Sequence, residues 1–146
     1  MNRKEFIMST RSLAPLLAVA LALGACATGK DEVKPEPQVI KADKDGVQRV
    51  RIVGGSYFFK PGHIVVKVNV PVELLASREP GMAPHNLVIR EPGAGIVVDE
   101  ELATEPKKIA FTPRKVGKYA FYCTKKPPLL ASHRERGMEG VLEVAP

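Results

Sequence analysis

The stretch KYAFYC, Lys118–Cys123, indicates the fold class because its large side chains alternate with a period of two. In an extended strand, Tyr119, Phe121 and Cys123 lie on one face and the intervening residues lie on the other. Two aromatic rings on one face favour burial of that face. The stretch therefore predicts a strand at the edge of a core, with the Cys123 thiol turned inward.

Short apolar runs of the same kind continue on both sides of this stretch, separated by Pro and Gly. They are VQRVRIV, YFF, IVVKVNV, VELLAS, HNLVIR, GIVV, KIAFT and GVLEV. Helical periodicity is weak throughout, so the spacing predicts an all-β sandwich or barrel of about seven to eight strands in a domain at residues 47–146. Residues 93–104 fit either a short helix or an irregular excursion between strands.

Residues 1–25 have the pattern of a secretory signal peptide. Basic residues Arg3, Lys4 and Arg11 precede an apolar run from Leu13 to Ala25, which is the order of the n-region and the h-region in such signals. The run is too short to span a bilayer comfortably. We therefore expect the chain to be exported.

The signal segment ends in LGAC, Leu23–Cys26, which resembles the bacterial lipobox. The resemblance implies that Cys26 is acylated as the first mature residue, and Ala27 after it implies sorting to the outer membrane or the cell surface. The alternative is an ordinary cleavage site, with Cys26 free or disulfide-bonded. Residues 26–46 form a polar, flexible tether in this interpretation. We therefore expect a lipid-anchored protein whose domain faces the periplasm.

The chain has a formal net charge of +6, but its basic residues are interspersed with acidic ones. It has no Arg-rich or aromatic-interleaved stretch of the kind that suits nucleic acid. The charge therefore disfavours nucleic acid as a partner and favours proteins with acidic surfaces.

Four side chains offer soft or imidazole donors. Cys123, His133 and Met138 lie in the loop CTKKPPLLASHRERGM, and His85 opens the apolar run HNLVIR. Two imidazoles and one thiolate in a plane, with a weak axial thioether, favour copper, whereas zinc prefers four stronger ligands. The alternative interpretation of these residues is a small buried thiol, hydrogen-bonded histidines and a gap-filling methionine.

The motifs SYFFKP, PHNLVI, FTPRKVGKYAFYC and HRERGMEGVLEV, in this order, resemble the small blue-copper proteins, or cupredoxins, of plastocyanin and azurin type. The resemblance covers roughly residues 47–146 and implies a Greek-key β-sandwich that holds one copper ion as Cu(I) or Cu(II). It implies His85, Cys123 and His133 as the equatorial ligands and Met138 as the axial ligand.

The same resemblance implies that Asn86 ties the two ligand loops together through Thr124. Nine residues separate Cys123 and His133, a longer spacing than in many small cupredoxins and one that resembles the type 1 copper domain of nitrite reductases. Such an enzyme, or a multicopper oxidase, needs additional histidines, and only His63 remains. We therefore expect no catalytic copper centre and no enzyme activity.

The position of Met138 directly before the run GVLEV favours it as axial ligand over Met82, which precedes His85 by three residues. His63, in the turn KPGHI, is expected to face solvent. Residues around an exposed edge of His133 are predicted to form a docking rim, although a merely solvated loop is the alternative. The docking rim comprises Lys125, Lys126, Pro127, Pro128, Leu129, Leu130, Arg134 and Arg136.

An apolar centre inside a charged rim suits brief, electrostatically steered encounters between proteins. The sequence therefore favours one-electron transfer to or from redox partner proteins, such as a cytochrome c or a membrane respiratory complex with an acidic docking surface. One alternative function is a periplasmic copper-binding or copper-tolerance protein. The other is a noncatalytic copper subunit of a respiratory oxidase or reductase.

Overall fold

The computed structural model describes residues 35–146. The signal segment, Cys26 and the first part of the expected tether lie outside the described residues. Within residues 35–146, no helix is long and apolar enough to cross a membrane.

The described residues form ten strands and a single 3-10 turn at Pro92–Ala94. The strands are β1 Gln38–Val39, β2 Gln48–Gly55, β3 Phe58–Lys60, β4 His63–Lys67, β5 Val72–Arg78, β6 His85–Glu91, β7 Ile96–Leu102, β8 Lys107–Phe111, β9 Gly117–Tyr122 and β10 Glu139–Ala145. The segment that the sequence left undecided, residues 93–104, thus contains the end of the 3-10 turn followed by a strand.

The strands are arranged in two sheets, one ordered β1-β4-β10-β9-β6-β7 and the other β3-β2-β5-β8. The chain crosses between the sheets repeatedly, as in Greek-key sandwiches, and the predicted all-β sandwich is confirmed. The described residues contain ten strands rather than seven to eight, because β1 and β3 are short pieces of two and three residues. Such short pieces carry too little alternation for a sequence pattern to detect.

The core lies between the two sheets and is built from alternate residues of nearly every strand. Phe121 is buried and packs edge-on against Phe59 of the opposite sheet, with ring centroids 5.4 Å apart. Tyr119 is partly buried against the same core, and Cys123 is fully buried just beyond the end of β9. The alternation in KYAFYC therefore places the thiol inside the sandwich, as the sequence predicted.

The described fold begins ahead of Val47, within the segment expected to be a tether. Gln38 and Val39 pair in parallel with Ile64 and Val65 of β4. This strand has only two residues and is held by backbone groups, so it is too short to show a period-two pattern in the sequence. The domain therefore includes part of the segment assigned to the tether.

Two polar residues are more deeply placed than their sequence context indicated. Gln48 of β2 faces the core, and its amide nitrogen donates to the carbonyls of Lys67 and Val70 at 3.3 Å each. His63 does not face solvent in a turn, and that expectation was wrong. It begins β4, is partly buried, and its Nε2 lies 2.9 Å from Glu143 Oε2 because the parallel pairing of β4 and β10 brings the two side chains together.

Candidate metal centre

Three donor residues converge at one end of the sandwich. His85 is the first residue of β6, Cys123 directly follows β9, and His133 lies in the loop before β10. Their exposed fractions are 5%, 0% and 2% respectively. The Nδ1 atoms of His85 and His133 are 3.1 Å apart, Cys123 Sγ is 3.5 Å from His133 Nδ1, and all three donor atoms lie within 4.8 Å of one another.

These distances match a cluster that closes around one small ion. Bonds of about 2.0–2.3 Å to nitrogen and sulfur, set at about 120°, separate neighbouring donors by roughly 3.5–3.8 Å. The observed separations of 3.1 and 3.5 Å are a few tenths of an ångström shorter. Two imidazole nitrogens and one sulfur are the donors of a trigonal copper plane. The cluster is therefore compatible with one copper ion.

The surroundings favour the neutral form of both imidazoles. Burial lowers the pKa of His85, helped by the nearby His133 and Arg78. Burial also lowers the pKa of His133, helped by Arg136 and Lys125. A metal binds the neutral imidazole, so these shifts leave both rings in the form that can ligate at neutral pH.

Met138 is fully buried directly before β10, whereas Met82, the alternative axial candidate, is fully exposed. The Met138 N–H donates to the His133 carbonyl at 2.9 Å, and the Met138 carbonyl accepts from the Cys123 N–H at 3.1 Å. A Cβ placed on Gly54 of β2 would lie 3.0 Å from the Met138 Cε. Met138 is thus buried and bonded through its backbone to two of the donor residues. Gly54 provides room for its side chain, which sequence reasoning did not identify.

Asn86 connects the two chain segments that carry the donors. Its Nδ2 donates to Thr124 Oγ1 at 2.8 Å, and its Oδ1 accepts from the Thr124 N–H at 2.9 Å. Nδ2 also reaches Asp99 Oδ1 on β7 at 3.3 Å. Asp99 accepts only, so it favours the amide orientation in which Nδ2 faces Thr124 Oγ1. Nothing in the sequence pattern identified Asp99 as part of this network.

Comparisons with known proteins agree on the architecture. No family model matches the chain, and no curated protein matches it. Among solved structures, it is similar to the metal-binding domain of the Streptococcus pneumoniae D39 Cu(I)-exporting P-type ATPase CopA, solved with Cu(I) (TM-score 0.58, 23% identity, 77% of this chain and 98% of that one). It is also similar to dithionite-reduced auracyanin from Roseiflexus castenholzii (TM-score 0.53, 21% identity, 73% and 100%).

The chain has the cupredoxin fold. Its likeness extends to a domain of the Cu-containing nitrite reductase of Thermus scotoductus SA-01, with a TM-score of 0.50, 15% identity, and coverage of 75% of this chain but 28% of that one. At these identities the likeness establishes the fold, and the assignment of donor residues rests on the distances within this chain.

The loop between Cys123 and His133 of this cupredoxin fold is held mainly at its two ends. The His133 N–H donates to the Lys125 carbonyl at 2.8 Å. Ser132 and Glu135 form a reciprocal cap, in which Glu135 Oε2 accepts from the Ser132 N–H at 2.6 Å and from its hydroxyl at 2.8 Å. These bonds present the His133 ring to the other two donors.

Most residues of the docking rim are exposed. Leu129 is fully exposed, and of the rim residues only Lys125 and Pro127 are partly buried. Lys125 pairs with Glu101, and Arg134 lies 2.8 Å from Glu139. The expectation of an exposed edge of His133 was wrong, because this residue is only 2% exposed.

A groove of about 410 Å³ leads from the docking rim to the buried His133. Ala83 and Pro84, which precede His85, form one part of its lining. The remaining lining comes from Tyr57 and from the loop residues Lys125, Lys126, Pro127 and Pro128. Most of this surface is apolar, and His133 forms part of it. The donor cluster therefore meets the surface through a groove and not through a bare imidazole edge.

Proposed function

We propose that this protein is a one-electron carrier with a single type 1 copper centre, anchored to the membrane through a lipid on Cys26 with its domain facing the periplasm. The observation that carries the proposal is the buried cluster of His85, Cys123 and His133, whose donor atoms all lie within 4.8 Å of one another. The buried Met138, bonded through its backbone to both Cys123 and His133, supplies the fourth donor.

The protein residues keep one set of donor positions available to both oxidation states. When bound there, copper would supply a reversible change between Cu(I) and Cu(II). The Cys123 sulfur and the Met138 thioether are soft donors, and the two imidazoles suit either state. The Asn86 side chain holds the segments carrying His85 and Cys123 together. The buried apolar shell keeps water away from the sulfur, and such shells tune redox potentials.

The groove and the docking rim support a protein as redox partner. The groove wall is largely apolar and leads to His133, while Lys126, Arg134 and Arg136 of the rim are exposed. Apolar contact shortens the distance for electron transfer, and exposed cations steer an acidic partner into place. We propose a cytochrome c or a membrane respiratory complex with an acidic docking surface.

A carrier fits this chain better than an enzyme does. A catalytic copper centre built from histidines needs imidazoles beyond the donor cluster, and the third histidine of the chain, His63, bonds with Glu143 at 2.9 Å.

The test is a titration with Cu(II) of the chain beginning at Ala27, followed by visible absorption. We expect an intense thiolate-to-copper band at one equivalent, absent in Cys123→Ser and retained in His63→Gln, the matched control outside the cluster. A wild-type spectrum with only weak d–d absorption would contradict the proposal, as would a strong band that survives in Cys123→Ser.

The second candidate is a copper-handling protein that stores or delivers the metal. It is favoured by the similarity to the metal-binding domain of a Cu(I)-exporting ATPase. The two functions predict different exchange rates, because a carrier retains its metal through many redox cycles. Rapid transfer of copper to a modest chelator, combined with no electron exchange with a cytochrome, would favour handling over electron transfer.

A further inference from the structure

Tyr57 is placed against a donor residue although it comes from the other sheet. It lies in the turn between β2 and β3, and its ring meets the His133 ring edge-on, with centroids 5.3 Å apart and planes at 80°. The same tyrosine lines the groove that leads to His133. An aromatic ring at this distance both fills space and prefers a defined orientation of its neighbour.

Two further observations show that Tyr57 is held in this position. Its φ of 65° lies in the left-handed region, which is unfavourable for a residue with a bulky side chain and persists where surrounding contacts impose it. The Arg136 guanidinium lies 4.4 Å from the ring centroid, and Arg136 Nη1 donates to the Tyr57 hydroxyl. Arg136 follows His133 by three residues, so the loop that carries the donor also holds the tyrosine.

We infer that Tyr57, held by Arg136, is a positioning residue that covers the His133 imidazole. The edge-on contact limits rotation of the imidazole, so that its Nδ1 stays directed toward His85 and Cys123. The ring also covers part of His133 where the imidazole borders the groove, which restricts access by water and small reagents and contributes to the low exposure of His133. The role of His133 as a copper ligand rests on the proposed function, whereas the contact between Tyr57 and His133 does not depend on copper.

Metal-free protein provides the test, so its outcome is independent of whether copper is the physiological ion. Diethyl pyrocarbonate modifies accessible neutral imidazoles, and mass spectrometry resolves its rate at His133 and at His63. In Tyr57→Leu, we expect the rate of modification at His133 to rise about tenfold, because modification no longer requires a local opening that moves the Tyr57 ring away. The rate at His63 should stay unchanged and serves as the internal reference.

Three further variants separate the cover from a general loosening of the β2–β3 turn. Tyr57→Phe keeps the ring and should retain most of the protection. Phe58→Leu removes the neighbouring ring of the β2–β3 hairpin and should leave His133 protected. The Phe58 ring contacts Lys60, whose Nζ lies 4.9 Å from the ring centroid. Arg136→Gln should give an intermediate rate, because the tyrosine stays but loses its restraint.

An unchanged rate at His133 in Tyr57→Leu would overturn the inference. So would equal acceleration at His133 in Phe58→Leu, or parallel acceleration at His63, because either result assigns the effect to hairpin or global opening. If Tyr57→Leu does not fold, a wild-type rate at His133 in Arg136→Gln overturns the inference, and an intermediate rate supports it. Failure of the copper titration would refute the proposed function and leave this result unaffected.

Discussion

The two imidazoles of the cluster are held in different ways. His85 belongs to β6, pairs with Leu102 of β7, and precedes a continuous buried run at Leu87–Ile89. His133 lies in a loop without strand pairing, and it is held by backbone bonds to Lys125 and Met138 and by the ring of Tyr57. One donor is therefore part of the framework of strands, and the other depends on a few contacts around a loop.

This difference separates the stability of the fold from the geometry of the site. A residue of the strand framework packs within the core, so truncating its side chain should lower the free energy of global unfolding. A loop residue contributes few buried contacts, so changing it should act on the site and on local opening. The following variants compare the two regions, beginning with the largest expected effect.

Phe121→Ala tests the framework directly. The side chain is 1% exposed and packs on Phe59, and loss of such a ring costs about 3–5 kcal/mol. The loop counterpart Leu129→Ala should change the free energy of unfolding by no more than about 0.5 kcal/mol, since Leu129 is fully exposed. Urea unfolding of the metal-free protein measures both. Equal losses in the two variants would contradict the division between framework and loop.

Asn86→Ala breaks the connection between the regions. It removes the bonds to both the hydroxyl and the N–H of Thr124, and a partly buried N–H left without a partner costs about 1–3 kcal/mol. We expect a loss in this range, together with faster amide exchange at Thr124. Thr124→Ser keeps the hydroxyl and should show neither effect. Unchanged exchange at Thr124 in Asn86→Ala would indicate that the two segments are held by other contacts.

Met138→Leu tests the loop end of the site without emptying the core. The exchange nearly conserves volume at a fully buried position, so unfolding of the metal-free protein should change by less than about 1.5 kcal/mol. The copper-loaded variant should keep its intense band and show a higher reduction potential, since loss of an axial donor costs the higher oxidation state more. The exposed Met82→Leu should change neither property. Loss of copper binding in Met138→Leu would contradict the axial role.

Two carboxylates, one in each region, predict different responses to acid. Bonds to Lys118 and His63 lower the pKa of Glu143 below the usual range of a glutamate, and bonds to Ser132 lower the pKa of Glu135 in the same direction. Each ionised carboxylate therefore adds stability above the unfolded-state pKa of a glutamate, and this stability is lost as the pH falls through the lower folded-state pKa. In Glu143→Gln, part of the acid-induced loss of global stability should disappear.

Glu135→Gln should leave the acid dependence of global unfolding nearly unchanged and instead speed amide exchange at Ser132. Unfolding curves of the metal-free protein between pH 3 and 7 make the comparison, with the exposed Glu105→Gln as the control. Identical acid profiles for Glu143→Gln and the wild type would show that the carboxylate on β10 does not contribute to the framework.

Much of the fold and of the donor set was open to prediction because it depends on local chemistry. The alternation of Tyr119, Phe121 and Cys123 predicted an inward-facing strand, and the structure has one. The donor types at His85, Cys123, His133 and Met138 suggested copper because few other ions prefer that combination. Resemblance to a family supplied the pairing of Asn86 with Thr124, which periodicity alone did not predict.

Other features depended on contacts between distant residues and were missed or misjudged. The sequence placed His63 in a solvent-facing turn, because periodicity does not reveal the carboxylate that its side chain meets. Nor does periodicity reveal the carbonyls that bond with the buried Gln48. An edge of His133 was predicted to be exposed, because no residue near this histidine in the sequence indicates that the ring of Tyr57 packs against it.

The amino-acid sequence by itself determined the all-β architecture and the chemistry of the donors, because strand periodicity and ligand type are properties of short segments. Only the tertiary structure decided how deeply the site is buried and what covers it. Tyr57 lies in a turn of one sheet, and His133 lies in a loop that leads into a strand of the other sheet. The two rings come into contact only when the sheets pack together. Shielding is a property of that packing, so no local pattern encodes it.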